Sequence, residues 1–297
     1  MTATIICLGH AALDRIYRIA TFPPSPQKVL ALGLEEVGGG MAANAAVAAA
    51  RLGGKVAFYS RIGDDLAGQA IRQGLDAEGI DTTGVRAFTG GRSSTSAVVV
   101  DAAGERLLVS DRGAGLDAGA EGVDFAPVTT ARVVLADVRW PIGALALFRA
   151  ARAAGVTTVL DADIGAGDAL PDLLTLADFA LFSAPGLQEF APGAFEAGLA
   201  QALAVGPRHA GVTQGARGYT WLDDTGRHHR PARSIATVDT SAAGDAFHGG
   251  FTWALAEGFD VPRCVEVAQA VAALKCLTPG NRAGLPSRAA MEAFLAA

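Results

Sequence analysis

Short runs rich in β-branched and aromatic residues alternate with Ala-rich runs along most of the chain, and this alternation restricts the fold more than any other feature. TIICLG is followed by MAANAAVAAARL, KVAFYSRI and LAGQAIRQGLDAEG, and later by RVVLADV, IGALALFRAARAAG, VTTVLDADI and HAGVTQG, with glycine at most of the joins. Parallel strands need long crossover connections, usually helical, so the alternation specifies a mainly parallel sheet with helices on both faces. The expected class is α/β. A chain of 297 residues can bury a full core as one such domain over residues 1–297. Two segments, about 15–37 and 92–112, break the rhythm: both read as strands with Pro or Gly turns and no helix between them. They predict a small antiparallel β sheet set over the main one as a lid.

Composition removes several function classes. Half of the residues are hydrophobic, yet no apolar run reaches the roughly 18–20 residues of a membrane span. The opening MTATIICLGHAALD has neither a basic head nor a small-residue cleavage site, which predicts a first strand, no leader, and a soluble cytoplasmic protein. A formal net charge of −6 carries no footprint for nucleic acid or anionic membrane and leaves a small molecule as the expected partner. Cys7, Cys264 and Cys276 are odd in number, widely spaced and set among apolar neighbours, and are expected to be buried thiols.

The stretch VDTSAAGDAFHGGF at 238–251 puts small residues and a carboxylate where an apolar, helix-like run begins, a run expected to end near Gly258. Ala242, Ala243, Gly244 and Asp245 then fall in a first helical turn, where unpaired N–H groups and the helix dipole favour an anion such as a phosphate. A glycine at 244 would relax the backbone there. The same pattern also describes a plain capping aspartate.

Two signatures in the right order resolve that choice by resemblance. DTSAAGD with its following helix, and GGGMAANAAVAAARLGGKVAFYSRIGDDLAG at 38–68, resemble the carboxy-terminal and amino-terminal signatures of the ribokinase/PfkB carbohydrate kinase family, and the similarity covers nearly the whole chain. The resemblance implies a ribokinase-like fold and phosphoryl transfer from ATP to a sugar hydroxyl. Asp245 would be the base, expected to stay ionised, and the N–H groups of residues 242–245 would stabilise charge on the γ-phosphoryl group. Gly39 and Gly40 would bring backbone close to the sugar, with Asn44 and Asp14 meeting its hydroxyls. Thr213, Gly215 and Gly218 would border the nucleotide, and Asn281 its base.

Gly38 to Ala43 also fits G-x-G-x-x-A, the loose fingerprint of nicotinamide-dependent oxidoreductases. The context opposes it, since VLALGLEEV is broken by Gly33 and a Glu pair and no acidic residue ends KVAFYSRI. Mg²⁺ is implied by the phosphates. Many family members order it through an Asn-x-x-Glu element; FSAPGLQEF carries Ser183 and Gly186 at those positions, with Glu189 one turn on as either a water-mediated contact or a solvated side chain. The altered element keeps a catalytically silent sugar-binding protein as an alternative.

The sugar is suggested by further matches. DRIY at 14–17, EVGGG at 36–40, VLADVRW at 134–140, TVLDADI at 158–164, VAALKC and PGNRAGLP resemble the sulfofructose kinase branch, which phosphorylates the 1-hydroxyl of 6-deoxy-6-sulfofructose. Met41 stands where ribokinases have Lys. The branch implies that Lys28 and Arg139 would hold the sulfonate, with Ser110 in place of an Asn. Other ketoses or pentoses of the fructose and ribose type are the alternatives. Apolar runs in the lid, such as SAVVV, suggest a homodimer paired through it.

Overall fold

The computed structural model describes residues 4–297. Its main sheet has nine strands in the order β13 (Gly226–Arg230), β12 (Tyr219–Asp223), β11 (His209–Thr213), β10 (Phe179–Ser183), β9 (Thr157–Ala162), β8 (Val133–Asp137), β1 (Ile5–Leu8), β4 (Val56–Gly63) and β5 (Val85–Phe88). All neighbours run parallel except β11–β12 and β12–β13, where short turns replace the helical crossovers. The central strands are buried on both faces. In β1, Ile5 and Cys7 enter one core cluster and Ile6 and Leu8 the other, the period-two alternation of a central strand.

Helices α1 (Met41–Arg51), α2 (Leu66–Ala77), α7 (Ala243–Ala256), α8 (Val261–Cys276) and α9 (Arg288–Ala296) cover one face. The other carries α3 (Pro141–Ala153), α4 (Leu170–Leu176), α5 (Ala184–Phe190) and α6 (Phe195–Val205). The alanine run of α1 has a packing reason. A Cβ on Gly249 of α7 would lie 2.3 Å from the Ala45 carbonyl oxygen and 2.7 Å from the Ala48 Cβ, so these two helices cross closer than larger residues allow. That close crossing sets the separation of Asn44 and Asp245, which sit near the ends of the two helices.

A second sheet, in the order β3 (Gly33–Gly39), β2 (Ala12–Arg18), β6 (Ser94–Val100) and β7 (Arg106–Asp111), overlies the first. It consists of two antiparallel hairpins joined by a parallel pair, β2–β6. Alternation divides its two faces. Asp14, Ile16, Ser96, Val98, Leu108 and Ser110 point into a cavity, while Leu34, Tyr17, Val99 and Leu107 are in register across all four strands on the outer face. Residues 19–32, between β2 and β3, contain neither helix nor strand. Among the described residues no helix is long and apolar enough to cross a membrane, and all three cysteines are buried and free.

Candidate active site

The chain leaves β1 for β4 and β5 on one side and returns to β8 on the other, so the carboxyl ends of β1 and β8 form a switch point where open α/β sheets bind ligands. The cavity lies there. It encloses about 740 Å³ and is roofed by the small sheet. Its floor is fixed by Asp137 at the end of β8: Oδ2 accepts the His10 N–H at 2.8 Å and the Ala42 N–H at 3.0 Å, and Oδ1 accepts the Arg139 N–H at 2.8 Å. One buried carboxylate thereby ties together β1, the start of α1 and the Arg139 turn. Burial pushes the Asp137 carboxyl up to about 6.

The glycine run serves protein groups as much as any ligand. A Cβ on Gly38 would fall 2.0 Å from Arg282 Nη1, one on Gly39 2.3 Å from Asp14 Oδ2, and one on Gly40, at φ 95°, 2.4 Å from the His10 carbonyl oxygen. Only glycine lets these groups approach. Gly40 lines the cavity, whereas the space at Gly39 belongs to Asp14. The run joins the lid strand β3 to α1 rather than a buried parallel strand to its helix, which overturns the dinucleotide fingerprint.

Asp245 lies in the first turn of α7, partly buried at the cavity wall. Asn44 Nδ2 donates to its Oδ2 at 2.8 Å, and Arg282 Nε donates to Asn44 Oδ1 at 2.9 Å, so the Asn44 amide bridges a guanidinium and the carboxylate. Burial first and the Asp161 carboxylate second raise Asp245 to about 7. The expectation of a fully ionised group at the helix end is corrected: loss of solvent and like charge outweigh the dipole. Beneath it, His248 Nδ1 lies 3.0 Å from Asp161 Oδ2 in poor hydrogen-bond alignment. Burial alone would lower the imidazole, but Asp161 and Asp245 raise it on balance.

The anion-facing turn also differs in detail from expectation. The left-handed residue is Ala242, at φ 56°, and not Gly244, which faces open space. Such a conformation costs an alanine roughly 1–2 kcal/mol. The Ala243 N–H is turned back onto the Thr240 carbonyl at 3.2 Å. Among the described residues, the N–H groups of Ala242, Gly244 and Asp245 have no protein partner, so of the expected hole of residues 242–245 only the Ala243 donor is withdrawn. Asp239 pins the turn by accepting from Ser241 N–H at 2.8 Å, Ser241 Oγ at 2.7 Å and Gly280 N–H at 2.9 Å. Burial works to raise its pKa, but these donors hold it down to about 2. From the lid, Arg106 reaches Asp239 Oδ1 at 3.0 Å and the Ser241 hydroxyl.

The remaining expected residues are divided. Asp14 is on β2, within the lid, with its pKa raised by burial, and it accepts from Asn281 Nδ2 at 2.6 Å. Asn281 therefore lines the cavity beside Asp14. Thr213 ends β11, and Gly215 and Gly218, at φ 56° and 95°, form the turn into β12 on the same carboxyl edge, outside the enclosed cavity. Ser183 caps α5 and donates to Asp163 Oδ1 at 2.6 Å; a side chain at Gly186 would strike the Ala162 carbonyl oxygen at 2.4 Å, so no glutamate fits there. Glu189 is an exposed side chain whose Oε1 accepts the Gly165 N–H at 2.9 Å. Among the described residues no cluster of three or more His, Cys, Asp or Glu side chains could hold a metal.

Lys28 is exposed on the strand-free 19–32 segment and does not line the cavity, a correction that follows from the absence of any strand to aim it inward. Arg139 and Ser110 do line it, and two arginines that sequence reasoning missed join them. Arg61 lies over the Trp140 ring at 4.9 Å and donates to the Arg139 carbonyl at 3.3 Å; Arg112 follows β7 and has no ion pair among the described residues. Arg139 Nη2 is 3.6 Å from Asp163, while its Nη1 is buried without a hydrogen-bond partner. Burial and these three guanidinium groups press His10 down to about 4, leaving its neutral ring against Ser94 Oγ at 2.8 Å. Asp137, Asp161 and Arg282 stand inside VLADVRW, TVLDADI and PGNRAGLP, motifs already marked by resemblance, and only the three-dimensional convergence reveals their places.

Residues 2–288 match the pfkB family carbohydrate kinase model. An ATP-dependent ribose-1-phosphate kinase of Halopiger xanaduensis is 31% identical over 98% of this chain and 97% of its own length. The ribokinase of Bacillus subtilis is 28% identical over 98% and 99%. A crystal structure from Agrobacterium tumefaciens, provisionally described as a ribokinase, superposes with a TM-score of 0.93 at 34% identity over 100% of this chain and 98% of that one.

Proposed function

The chain belongs to the pfkB family of carbohydrate kinases, phosphotransferases with an alcohol acceptor, and on that premise we propose that its acceptor is a sugar bearing an anionic group. The leading substrate is 6-deoxy-6-sulfofructose, phosphorylated by ATP at its 1-hydroxyl. One observation carries the reading: Arg61, Arg112 and Arg139 converge beside the cavity, and Arg139 Nη1 is buried with no partner in the protein. A desolvated, unpaired donor costs stability unless a ligand satisfies it, and a guanidinium fork matches a sulfonate or phosphate. Ser110 adds a hydroxyl from the lid. Ribose 1-phosphate is a second reading, favoured by the activity for which the Halopiger relative is named.

In this reading Asp14, oriented by Asn281, and Asn44 hold the acceptor hydroxyls. Asp245 accepts the proton of the attacking hydroxyl. Its pKa near neutrality suits that step, because an ionised fraction is present while the driving force for proton transfer is retained. The N–H groups of Gly244 and Asp245 face the developing charge on the phosphoryl group. Thr213, Gly215 and Gly218 border the nucleotide along the carboxyl edge. The residues present fit Mg²⁺ carried by the nucleotide phosphates better than a protein cage, with Asp163 the carboxylate of the cavity that would face its water shell. Bound there, Mg²⁺ supplies charge neutralisation between the phosphates.

The test is a panel of sulfofructose, fructose, ribose and ribose 1-phosphate followed by ADP release. Arg139→Ala should cost about 10²–10³ in kcat/KM on the anionic substrate, the loss of two charge-assisted hydrogen bonds, and only a few-fold on fructose. Equal loss on charged and uncharged sugars would remove the anion reading. No turnover with any sugar would favour a silent sugar-binding protein.

A further inference from the structure

Lys275, near the end of α8, is fully buried, with its side chain 0% exposed. A lysine is almost never buried completely unless its charge is engaged. Its ammonium donates to the Asp239 carbonyl oxygen at 3.0 Å and lies 3.8 Å from Asp239 Oδ1. An ammonium has three donors, and this is its one hydrogen bond among the described residues. The charge is therefore aimed at a single residue. Burial works to lower the pKa of this lysine, and the Asp239 carboxylate opposes that.

Asp239 is the knot of the phosphate-facing turn. Its carboxylate fixes Ser241 and Gly280 and receives Arg106 from the lid, while its own N–H and that of Val238 are held by the Cys276 carbonyl at 3.2 and 2.8 Å. Without a cation at this point, the Asp239 carbonyl and its partly buried carboxylate would lose the one charge that faces both. The turn that presents the Gly244 and Asp245 N–H groups would then lose its support.

We propose that the Lys275 ammonium is a covalently tethered monovalent cation, a positioning residue that holds the Asp239 turn in its anion-binding shape without an ion from solution. The consequence for the kinase rests on the function proposed above, whereas the consequence for stability does not. The protein should not require K⁺, Na⁺ or NH₄⁺. In Lys275→Met the lost charge leaves a gap lined by a carbonyl and a carboxylate, the ligand chemistry that a free monovalent cation accepts.

The experiment compares the wild type and Lys275→Met, with ionic strength held constant by choline chloride and K⁺ or NH₄⁺ exchanged in. Turnover and thermal midpoint are both read. The wild type should change less than about twofold in kcat, and its midpoint should not respond specifically to K⁺. The variant should lose at least about tenfold in kcat/KM for ATP in choline, regain part of it with K⁺ or NH₄⁺, and show a midpoint that rises with either ion. A wild type activated several-fold by K⁺ would overturn the inference. So would a folded variant equal to the wild type in choline, or one whose midpoint and activity ignore both ions. If the variant does not fold, the ion response of the wild type decides alone. If the wild type phosphorylates no sugar, the proposed function fails and the thermal midpoints still decide the role of Lys275.

Discussion

Replacing Asn44 by alanine tests whether Asp245 is a base set near neutrality by its neighbours. Asn44 Nδ2 donates to Asp245 Oδ2 at 2.8 Å and favours the ionised form, while burial and Asp161 disfavour it and bring the carboxyl to about 7. A hydrogen bond to a charged group contributes about 1.5–3 kcal/mol, and about 1.4 kcal/mol corresponds to one pH unit. Asp245 is only partly buried, so the lower figure applies. Arg282 keeps its bond to the Gly39 carbonyl at 3.2 Å, which leaves the guanidinium anchored when its Asn44 partner is removed.

The acid limb of kcat/KM for the sugar, which reports the free enzyme, should therefore move from about 7 to about 8 in Asn44→Ala. At about pH 6.5 the ionised fraction falls roughly eightfold, and at about pH 9 by only about a tenth, so the defect should nearly vanish in alkali once any pH-independent loss of sugar binding is factored out. The measurement is coupled ADP release from about pH 5.5 to about 9.5. Asp245→Asn is the control, expected to lose about 10²–10⁴ in kcat with ATP affinity little changed and the limb abolished. A limb that stays in place in Asn44→Ala, or a uniform loss at every pH, refutes the reasoning.

Ala242→Val should destabilise the fold by about 1–2 kcal/mol beyond the strain already present, because a β-branched residue tolerates the φ of 56° poorly; a denaturant midpoint equal to that of the wild type counts against the left-handed turn. The outer row of Leu34, Tyr17, Val99 and Leu107 should bury itself in a homodimer through the lid, which we propose as the assembled state; sedimentation of the wild type as a monomer at micromolar concentration excludes it, and Leu107→Glu should dissociate a dimer if one forms.

The layered architecture was legible because strand and helix periods alternate with glycine punctuation, and so was the start of α7, because a carboxylate and small residues preceded an apolar run. The boundaries of the two irregular segments also told of a separate sheet, although not of its parallel seam between β2 and β6. What remained hidden was set by convergence. Nothing in the neighbourhood of Arg61 or Arg112 distinguishes them from surface cations until Trp140 and the Arg139 carbonyl are folded against Arg61 and Arg112 is brought to the same cavity. Lys28 was misplaced for the complementary reason, since motif position carries no information about where a strand-free segment points. Asp245 was expected to be ionised because the helix end is local and readable, whereas Asp161 comes from a strand more than eighty positions away.

The hydrogen bonds that build the cavity join opposite ends of the chain: Asn44 to Asp245 across 201 positions, Asp14 to Asn281 across 267, and Arg282 to Asn44 across 238. During synthesis from the amino terminus, Asp14, Asn44 and the whole β2–β3 hairpin emerge long before Asp245, Asn281 and Arg282. Such distant contacts pay their loop-closure entropy late. A ribosome-bound chain stopped short of residue 281 therefore has Asp14 and Asn44 but lacks the Asn281 and Arg282 that bond to them, so the cavity's hydrogen bonds stay open until those residues are made. The order of the letters thus makes closure of the cavity one of the last events of synthesis.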